Sequence, residues 1–213
     1  MPTPLTLLLL GATGAVGSQT LRLALADPRI DRVIAPTRRP LPAHSKLANP
    51  VGEAIADAAI PDGIDAAICA LGSTIRKAGS REAFAAIDRD LPIALARRAI
   101  AAGAQRFVLN SSLGASPSGS FYLRTKAEAE AGIRALGIKS FTIVRPSLID
   151  AEREEKRPAE RLGLAVARLL GALIPRRYRP VKAEAIAATL LEAAISARPG
   201  ETVIESEAIG IGH

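Results

Sequence analysis

Short apolar runs alternate along the chain with longer stretches that have helical spacing. The first run, PLTLLLL at residues 4–10, is continuous and ends at a glycine, which is typical of a strand buried on both faces of a sheet. Residues 15–26 then carry apolar side chains at helical spacing, and residues 31–37 form a second apolar run. The chain therefore opens with the order strand, helix, strand.

The same alternation continues through the rest of the sequence. Further strands are predicted at 64–72, 106–112, 140–147 and 201–206, with a weak third strand near Val51 in the Pro- and Ala-rich stretch 41–63. Helices are predicted at 81–103, 121–136, 158–174 and 182–197, and Pro92 is expected to kink or split the first of these. Strands separated by helices pair in parallel through right-handed crossovers. The predicted fold is therefore α/β: a doubly wound, mainly parallel sheet with helices on both faces and a small C-terminal helical extension.

Three glycines lie between the first strand and the first helix, in the segment LLLLGATGAVG. Gly11 allows a tight turn, Gly14 lets a pyrophosphate approach the backbone, and Gly17 permits close helix packing. The N-terminus of the following helix offers free N–H groups to phosphates, whereas a plain glycine-rich turn is the alternative. We predict a dinucleotide site of the Rossmann type here, lined by the glycines and by Thr13, Ala15 and Val16.

The end of the second strand indicates which cofactor is bound. Sites for NAD usually have an acidic residue here that reaches the adenosine ribose. This chain has Thr37, Arg38 and Arg39 in the segment IAPTRRP, with no carboxylate. Guanidinium groups can hold a 2′-phosphate through paired hydrogen bonds, so NADP(H) is predicted in preference to NAD(H). The alternative is that both arginines are solvated surface residues.

Composition limits the class of protein. The chain has 213 residues, 48% of them hydrophobic and 23% charged, which suits one globular domain. We expect a nucleotide-binding core at about residues 1–150 and a small substrate-side part at about 151–213. The net charge is +7, but the basic residues are scattered and only 3% of residues are aromatic, which argues against nucleic-acid binding.

The few histidines and cysteines and the short apolar runs bear on metal binding, cellular compartment and membrane insertion. His44 and His213 are the only histidines, and neither has a second ligand at metal spacing, so no metal site is predicted. The single cysteine, Cys69, suits a reducing compartment and is expected to be a buried strand residue. The early apolar run is too short to span a bilayer and lacks signal-peptide features. A cytoplasmic protein without membrane insertion is expected.

The segment SFYLRTK contains Tyr122 and, four residues later, Lys126. On a helix the two side chains share a face, where the lysine charge stabilises a phenolate. A serine hydroxyl at the end of the preceding strand, in the segment NSS, can donate to a developing alkoxide. The three groups would meet at the carboxyl edge of the sheet, where doubly wound folds bind ligands. The alternative is an exposed tyrosine and lysine that share a helix face by chance.

With the glycine loop, these motifs resemble the short-chain dehydrogenase/reductase superfamily. The spacing G-x-x-G-x-x-G resembles its extended or atypical branch. The segments CALGST, AGSREAFAAIDRD, FVLNSSLGA, YLRTKAEAE, VRPSLI and EKRPAERL are similar to the group of Tat-interacting-protein-type oxidoreductases and their bacterial relatives. The resemblance extends from residue 5 to about residue 195.

The resemblance implies roles for the matching residues. Ser112 would hold the substrate oxygen, with Ser111 as the competing choice. Tyr122 would be the general acid or base, and Lys126 would bind the nicotinamide ribose and assist Tyr122. Further cofactor contacts are implied in two segments: Ala70, Leu71, Gly72 and Ser73 on the adenosine-ribose side, and Pro146 and Ser147 beside the nicotinamide.

Other charged residues receive structural interpretations. Asp88 and Asp90 are expected on a helix surface or at an interface, and residues 152–156 are expected to form a solvated loop. The predicted function is an NADP(H)-dependent oxidoreductase acting on a small carbonyl or alcohol, as a monomer or homodimer. An NADP(H)-binding redox sensor that acts through a protein partner is the alternative. Nucleotide-sugar epimerase or dehydratase chemistry is a weaker one.

Overall fold

The computed structural model describes residues 4–150, 175–196 and 198–210. The strands in these ranges are β1 (Leu5–Leu10), β2 (Ile30–Ile34), β3 (Leu47–Ala48), β4 (Ala66–Cys69), β5 (Arg106–Asn110), β6 (Ser140–Arg145), β7 (Ile149–Asp150), β8 (Val181–Lys182) and β9 (Gly200–Glu205). The helices are α1 (Ala15–Ala26), α2 (Ile75–Ala78), α3 (Arg81–Ala85), α4 (Leu91–Ala101), α5 (Phe121–Arg134) and α6 (Ala183–Ile195), with a π-helical turn at Ala86–Asp90. Short 3₁₀ turns lie at Ile55–Asp57, Arg176–Tyr178 and Ser206–Ala208.

One parallel sheet contains seven of the described strands, in the spatial order β3-β2-β1-β4-β5-β6-β9. The strand order reverses direction next to β1, which is the topological switch point where doubly wound folds bind ligands. The strands β7 and β8 form a separate parallel pair. The predicted doubly wound α/β fold is confirmed.

The two faces of the sheet have separate hydrophobic cores. In β1, Leu7 and Leu9 pack in the core that contains α1 and α6, whereas Leu8 and Leu10 pack in the core that contains α4 and α5. All four side chains have no exposed surface. This two-sided burial is the physical reason for the continuous apolar run in the sequence.

The C-terminal part of the described chain is integrated into the main sheet. Helix α6 belongs to the same core as α1, and β9 pairs in parallel with β6 along its whole length. The closing strand that the sequence predicts at 201–206 is therefore the edge strand next to β6. The predicted helix at 158–174 and the loop at 152–156 lie outside the described residues.

The structure differs in detail from the predictions for the third strand and for Pro92. The third strand forms at Leu47–Ala48 rather than at Val51, which makes only an isolated bridge with Thr37. The disturbance expected at Pro92 takes the form of the π-helical turn that ends just before α4, with Pro92 in the first turn of α4. Residues 81–101 are helical without a break, so Pro92 lies inside a longer helix, and the π-helical turn before it replaces the regular hydrogen-bond pattern that a proline cannot complete. No helix within the described ranges is long and apolar enough to cross a bilayer.

Candidate functional site

The predicted site segments follow the carboxyl ends of neighbouring parallel strands. Gly11 follows β1, Thr37 lies beyond β2, and Ala70 follows β4. Ser111 follows β5 and Pro146 follows β6. Because these five strands are adjacent and parallel, the sheet brings all of the segments to one edge.

The first and third glycines of the phosphate loop are required by the packing of the protein itself. Gly11 has a φ of +90°, and a Cβ there would lie 2.8 Å from the backbone of Ala70 and Leu71. A Cβ on Gly17 would lie 2.0 Å from the carbonyl oxygen of Gly11. Real Cβ atoms do not approach backbone so closely, so the loop and α1 can pack in this way only with glycine at both positions.

Gly14 differs from the other two glycines because nothing in the protein crowds it. Its φ is −78°, which other residues adopt, and a Cβ there would meet the Gly11 and Ala70 carbonyl oxygens at 3.4 Å and 3.9 Å, which is ordinary van der Waals distance. Thr13, Gly14 and Ala15 are exposed, and within the described chain α1 has no side-chain cap and no acidic residue in its first turn. The open backbone and uncapped helix N-terminus fit a bound phosphate. The Val16 side chain is buried in the core, which leaves only its backbone available to a ligand.

The loop after β2 is held by Thr37 and presents two arginines. The Thr37 hydroxyl donates to the Arg39 carbonyl oxygen at 2.6 Å and accepts from the Asn49 amide at 2.8 Å. Its side chain is buried and is engaged in shaping the loop. Arg38 and Arg39 are exposed, and their guanidinium groups make no hydrogen bond or ion pair in the part of the chain that the structure describes. Both cations are therefore available to an anionic ligand.

A buried ion pair lies beside the loop after β4. Lys126 Nζ is 2.6 Å from Asp88 Oδ1, and the Ser73 N–H donates to Asp88 Oδ2 at 2.8 Å. The side chains of Lys126 and Asp88 are 7% and 0% exposed. A Cβ added to Gly72 would lie 3.7 Å from Lys126 Nζ, so the predicted cofactor loop and the predicted catalytic lysine are neighbours.

The sequence prediction for Asp88 was wrong, whereas the one for Asp90 agrees with the structure. Asp88 is buried in the π-helical turn, but Asp90 is exposed and pairs with Arg89. The spacing contained a signal for this, because Asp88 lies four residues after the buried Phe84 and so falls on the same helical face. Burial raises the pKa of the Asp88 carboxyl, and the Lys126 ammonium and the Ser73 N–H act in the opposite direction.

The two serines after β5 have different environments. The Ser111 hydroxyl donates to Glu130 Oε1 at 2.5 Å, and Glu130 also receives two hydrogen bonds from the Arg145 guanidinium. Ser111 and Glu130 are buried, and Arg145 continues this network to Glu205 at 3.0 Å. Ser112 is only half-buried, and its hydroxyl makes a single long contact, 3.5 Å to a neighbouring carbonyl oxygen. Of the two, Ser112 has the hydroxyl that is available to a ligand.

Tyr122, Lys126 and Glu130 form a stripe along α5 at successive spacings of four residues. The half-buried Tyr122 ring packs against Phe84, with 5.4 Å between ring centroids. Lys126 Nζ is 5.9 Å from the centroid of the Tyr122 ring, within the range of a cation–π contact. Sequence reasoning missed Glu130, although the same spacing rule would have placed it beside Lys126.

The segment after β6 closes the edge of the site. The Pro146 carbonyl oxygen accepts from the Leu113 N–H at 2.8 Å, which ties the ends of β5 and β6 together. The Ser147 N–H donates to the Ser206 hydroxyl at 3.1 Å, and the Ser147 hydroxyl donates to the Arg179 carbonyl oxygen. The Ser147 side chain is thus engaged in loop packing.

Cys69 ends β4 directly below this edge. Its side chain has no exposed surface, and burial raises the pKa of its thiol to about 11. A thiol in this state is a poor nucleophile, which agrees with the expectation of a buried strand residue.

Comparisons with known proteins identify relatives of the chain. A family model described as NAD(P)H-binding matches residues 11–194. The chain is 34% identical to the protein named fmp52, mitochondrial, of Emericella nidulans, covering 94% of this chain and 92% of that protein. It is 35% identical to Protein HTATIP2 of Rattus norvegicus, covering 71% of this chain and 66% of that protein. The resemblance to the Tat-interacting-protein-type group is confirmed.

Solved structures share the fold at low sequence identity. The UDP-N-acetylglucosamine 4-epimerase of Methanobrevibacter ruminantium superposes with a TM-score of 0.71 at 14% identity, covering 96% of this chain and 77% of that one. The PhqB reductase domain of Penicillium fellutanum gives a TM-score of 0.64 at 18% identity, covering 95% of this chain and 67% of that one. At these identities the likeness concerns the fold.

The phosphate loop yields a matched pair of variants. Gly17→Ala should lower the free energy of unfolding by about 1–3 kcal/mol, because its Cβ would collide with backbone. Gly14→Ala should leave stability within about 0.5 kcal/mol of the wild type but weaken NADPH binding about tenfold, because its methyl group would stand on the open phosphate face. Urea denaturation and NADPH titration measure the two effects. Equal NADPH affinity for Gly14→Ala and the wild type would contradict a phosphate site here.

Proposed function

The chain belongs to the NAD(P)H-binding family of Rossmann-type proteins, and from that premise we propose that it is an NADP(H)-dependent oxidoreductase that transfers hydride to or from a small carbonyl or alcohol. The observation that carries the proposal is the arrangement around Lys126. Its ammonium lies beside both the loop after β4 and the Tyr122 ring, while the Ser112 hydroxyl is uncommitted at the neighbouring strand end.

The proposed chemistry uses these groups in the reducing direction as follows. The cofactor supplies a hydride to the carbonyl carbon when it is bound. Ser112 donates a hydrogen bond to the substrate oxygen as negative charge develops there. Tyr122 transfers its proton to that oxygen, and Lys126 stabilises the resulting phenolate. The products are an alcohol and the oxidised cofactor, and the phenolate regains its proton from solvent.

The preference for NADP(H) is also proposed, on the basis of the loop after β2. Arg38 and Arg39 are exposed and unpaired within the described residues, and no acidic residue competes for the ribose hydroxyl in the segment IAPTRRP. A 2′-phosphate carries charge that two guanidinium groups can hold.

The cellular setting is proposed as the cytoplasm, with the protein acting as a monomer or homodimer on a small-molecule substrate. The single cysteine suits a reducing compartment. The fungal relatives carry the word mitochondrial in their names, so fractionation of cells that express the tagged protein should test the location directly.

Replacing Tyr122 with Phe tests the proton-transfer step. Turnover should fall by about 10²–10⁴-fold because the general acid is lost, while NADPH affinity should stay within about twofold of the wild type. Tyr178→Phe is the matched control, since Tyr178 is the other tyrosine and is 54% exposed. The assay follows nicotinamide absorbance over a panel of carbonyl substrates. Tight NADPH binding by the wild type without turnover on any substrate would contradict the enzyme proposal and favour the redox-sensor role.

The two serines provide a second test of the catalytic set. Ser112→Ala should lower kcat about 10²–10³-fold because a donor to the developing oxyanion is removed. Ser111→Ala should retain kcat but lower the melting temperature, because it removes a hydrogen bond to the buried Glu130. The reverse pattern would assign the catalytic hydroxyl to Ser111.

Cofactor preference is tested at the arginine loop. Arg38→Ala and Arg39→Ala should each raise the NADPH dissociation constant about 10–100-fold, since each removes a charge-assisted contact with the 2′-phosphate. NADH binding should change less than about threefold, because NADH lacks that phosphate. Arg32→Ala, an exposed arginine on β2, controls for net charge. Equal losses for NADPH and NADH would contradict the assignment.

A further inference from the structure

Asp88 is a fully buried carboxylate that lies next to the proposed catalytic set and has no role in the chemistry described above. It occupies the middle of the π-helical turn at Ala86–Asp90, in which the Leu91 N–H donates to the Ala86 carbonyl oxygen five residues earlier. Single π-helical turns inside α-helices are rare and are frequently found at functional sites. Burying an ionised group costs free energy unless the group is paired and hydrogen-bonded. The partners of Asp88 therefore indicate its role.

Each carboxylate oxygen of Asp88 has its own partner. Oδ2 accepts from the Ser73 N–H at 2.8 Å, and Oδ1 accepts from Lys126 Nζ at 2.6 Å. One side chain therefore connects three separate parts of the site: the loop after β4, the π-helical turn and the lysine on α5. Gly72 lies against both members of the ion pair. A Cβ added to Gly72 would be 3.5 Å from Asp88 Oδ1 and 3.7 Å from Lys126 Nζ.

The contact with Asp88 restricts where the Lys126 ammonium can lie. Lysine has a flexible four-carbon stem, and a free ammonium at the edge of a cleft would sample many positions. Lys126 uses one of its three N–H donors on Asp88, which leaves two for other acceptors. The same ammonium lies 5.9 Å from the centroid of the Tyr122 ring.

Resting on the proposed function, we propose that Asp88 is a positioning residue that holds the Lys126 ammonium at the carboxyl edge of the sheet, where its remaining donors serve the nicotinamide ribose and Tyr122. Asp88 contacts neither substrate nor cofactor in this role. The Ser73 N–H fixes the carboxylate, the carboxylate fixes the lysine, and the lysine acts on the cofactor. The buried ion pair is then retained for position, since apolar residues of similar volume often serve stability equally well.

Asp88→Asn tests the proposal, because asparagine keeps the shape but has one acceptor oxygen where Asp88 uses two. Because the two donors meet different oxygens, an NH₂ group in place of either oxygen loses one of the two contacts. The variant should raise the NADPH dissociation constant about tenfold and lower kcat by a similar factor, since a hydrogen bond to a charged group is lost. Binding of 2′,5′-ADP, which represents only the adenosine half of the cofactor, should weaken clearly less than NADPH binding, because that half meets the Ser73 loop but not Lys126, and it also reports that the variant is folded.

Two comparisons separate positioning from a general structural role. Asp90→Asn makes the same charge change at an exposed neighbour and should leave both affinities unaltered. In a Lys126→Met background, adding Asp88→Asn should change NADPH affinity less than about twofold, because residues that act through one another are non-additive. Independent, multiplicative effects in this cycle would overturn the proposal, as would equal losses of NADPH and 2′,5′-ADP binding by Asp88→Asn.

These experiments distinguish failure of the proposed role of Asp88 from failure of the proposed oxidoreductase function. Weakened NADPH binding by Asp88→Asn, with a clearly smaller loss of 2′,5′-ADP binding, supports the positioning role even if no carbonyl substrate is turned over. Unaltered NADPH affinity and kcat in Asp88→Asn, together with loss of turnover in Tyr122→Phe, overturns the role of Asp88 and leaves the oxidoreductase proposal standing.

Discussion

The parallel pairing of the central strands is the constraint on which the rest of the structure depends. Because β2, β1, β4, β5 and β6 all run in one direction, every loop that follows a strand lies at the same edge. Residues far apart in sequence, from Gly11 to Ser147, are thereby collected into one site. Two-sided burial of β1 between separate cores anchors the strand from which Gly11 leads into the phosphate loop.

Two close contacts shape the ligand-binding edge of the sheet. The first is the contact between the Gly11 carbonyl and Gly17, which places the N-terminus of α1 against the end of β1 and leaves its N–H groups open. The second is the buried pair of Asp88 and Lys126, which joins α5 to the loop after β4. The first contact concerns the phosphate side of a dinucleotide, whereas the second lies beside Tyr122 and, by proposal, serves the nicotinamide side.

Polar groups at this edge of the sheet divide into those that hold the loops in place and those that are free to contact a ligand. Ser111, Glu130 and Arg145 satisfy one another in a buried network, which removes Ser111 from the set of uncommitted hydroxyls. Thr37 and Ser147 are likewise engaged in shaping their loops. Among the described residues, the uncommitted groups include Ser112, the two arginines after β2 and the open backbone around Gly14. This division follows from hydrogen-bond partners, which motif spacing does not specify.

The sequence by itself determined the fold class, the first strand and helix, and the pairing of Tyr122 with Lys126 on one helix face. These features depend on local periodicity: two-sided burial requires a continuous apolar run, and residues four apart on a helix are neighbours. Only the tertiary structure decided that Asp88 pairs with Lys126, and that Ser111 rather than Ser112 is held by Glu130. Such contacts join residues 38 and 19 positions apart. Their formation depends on how α5 packs against the π-helical turn and β5, and no local pattern encodes that packing.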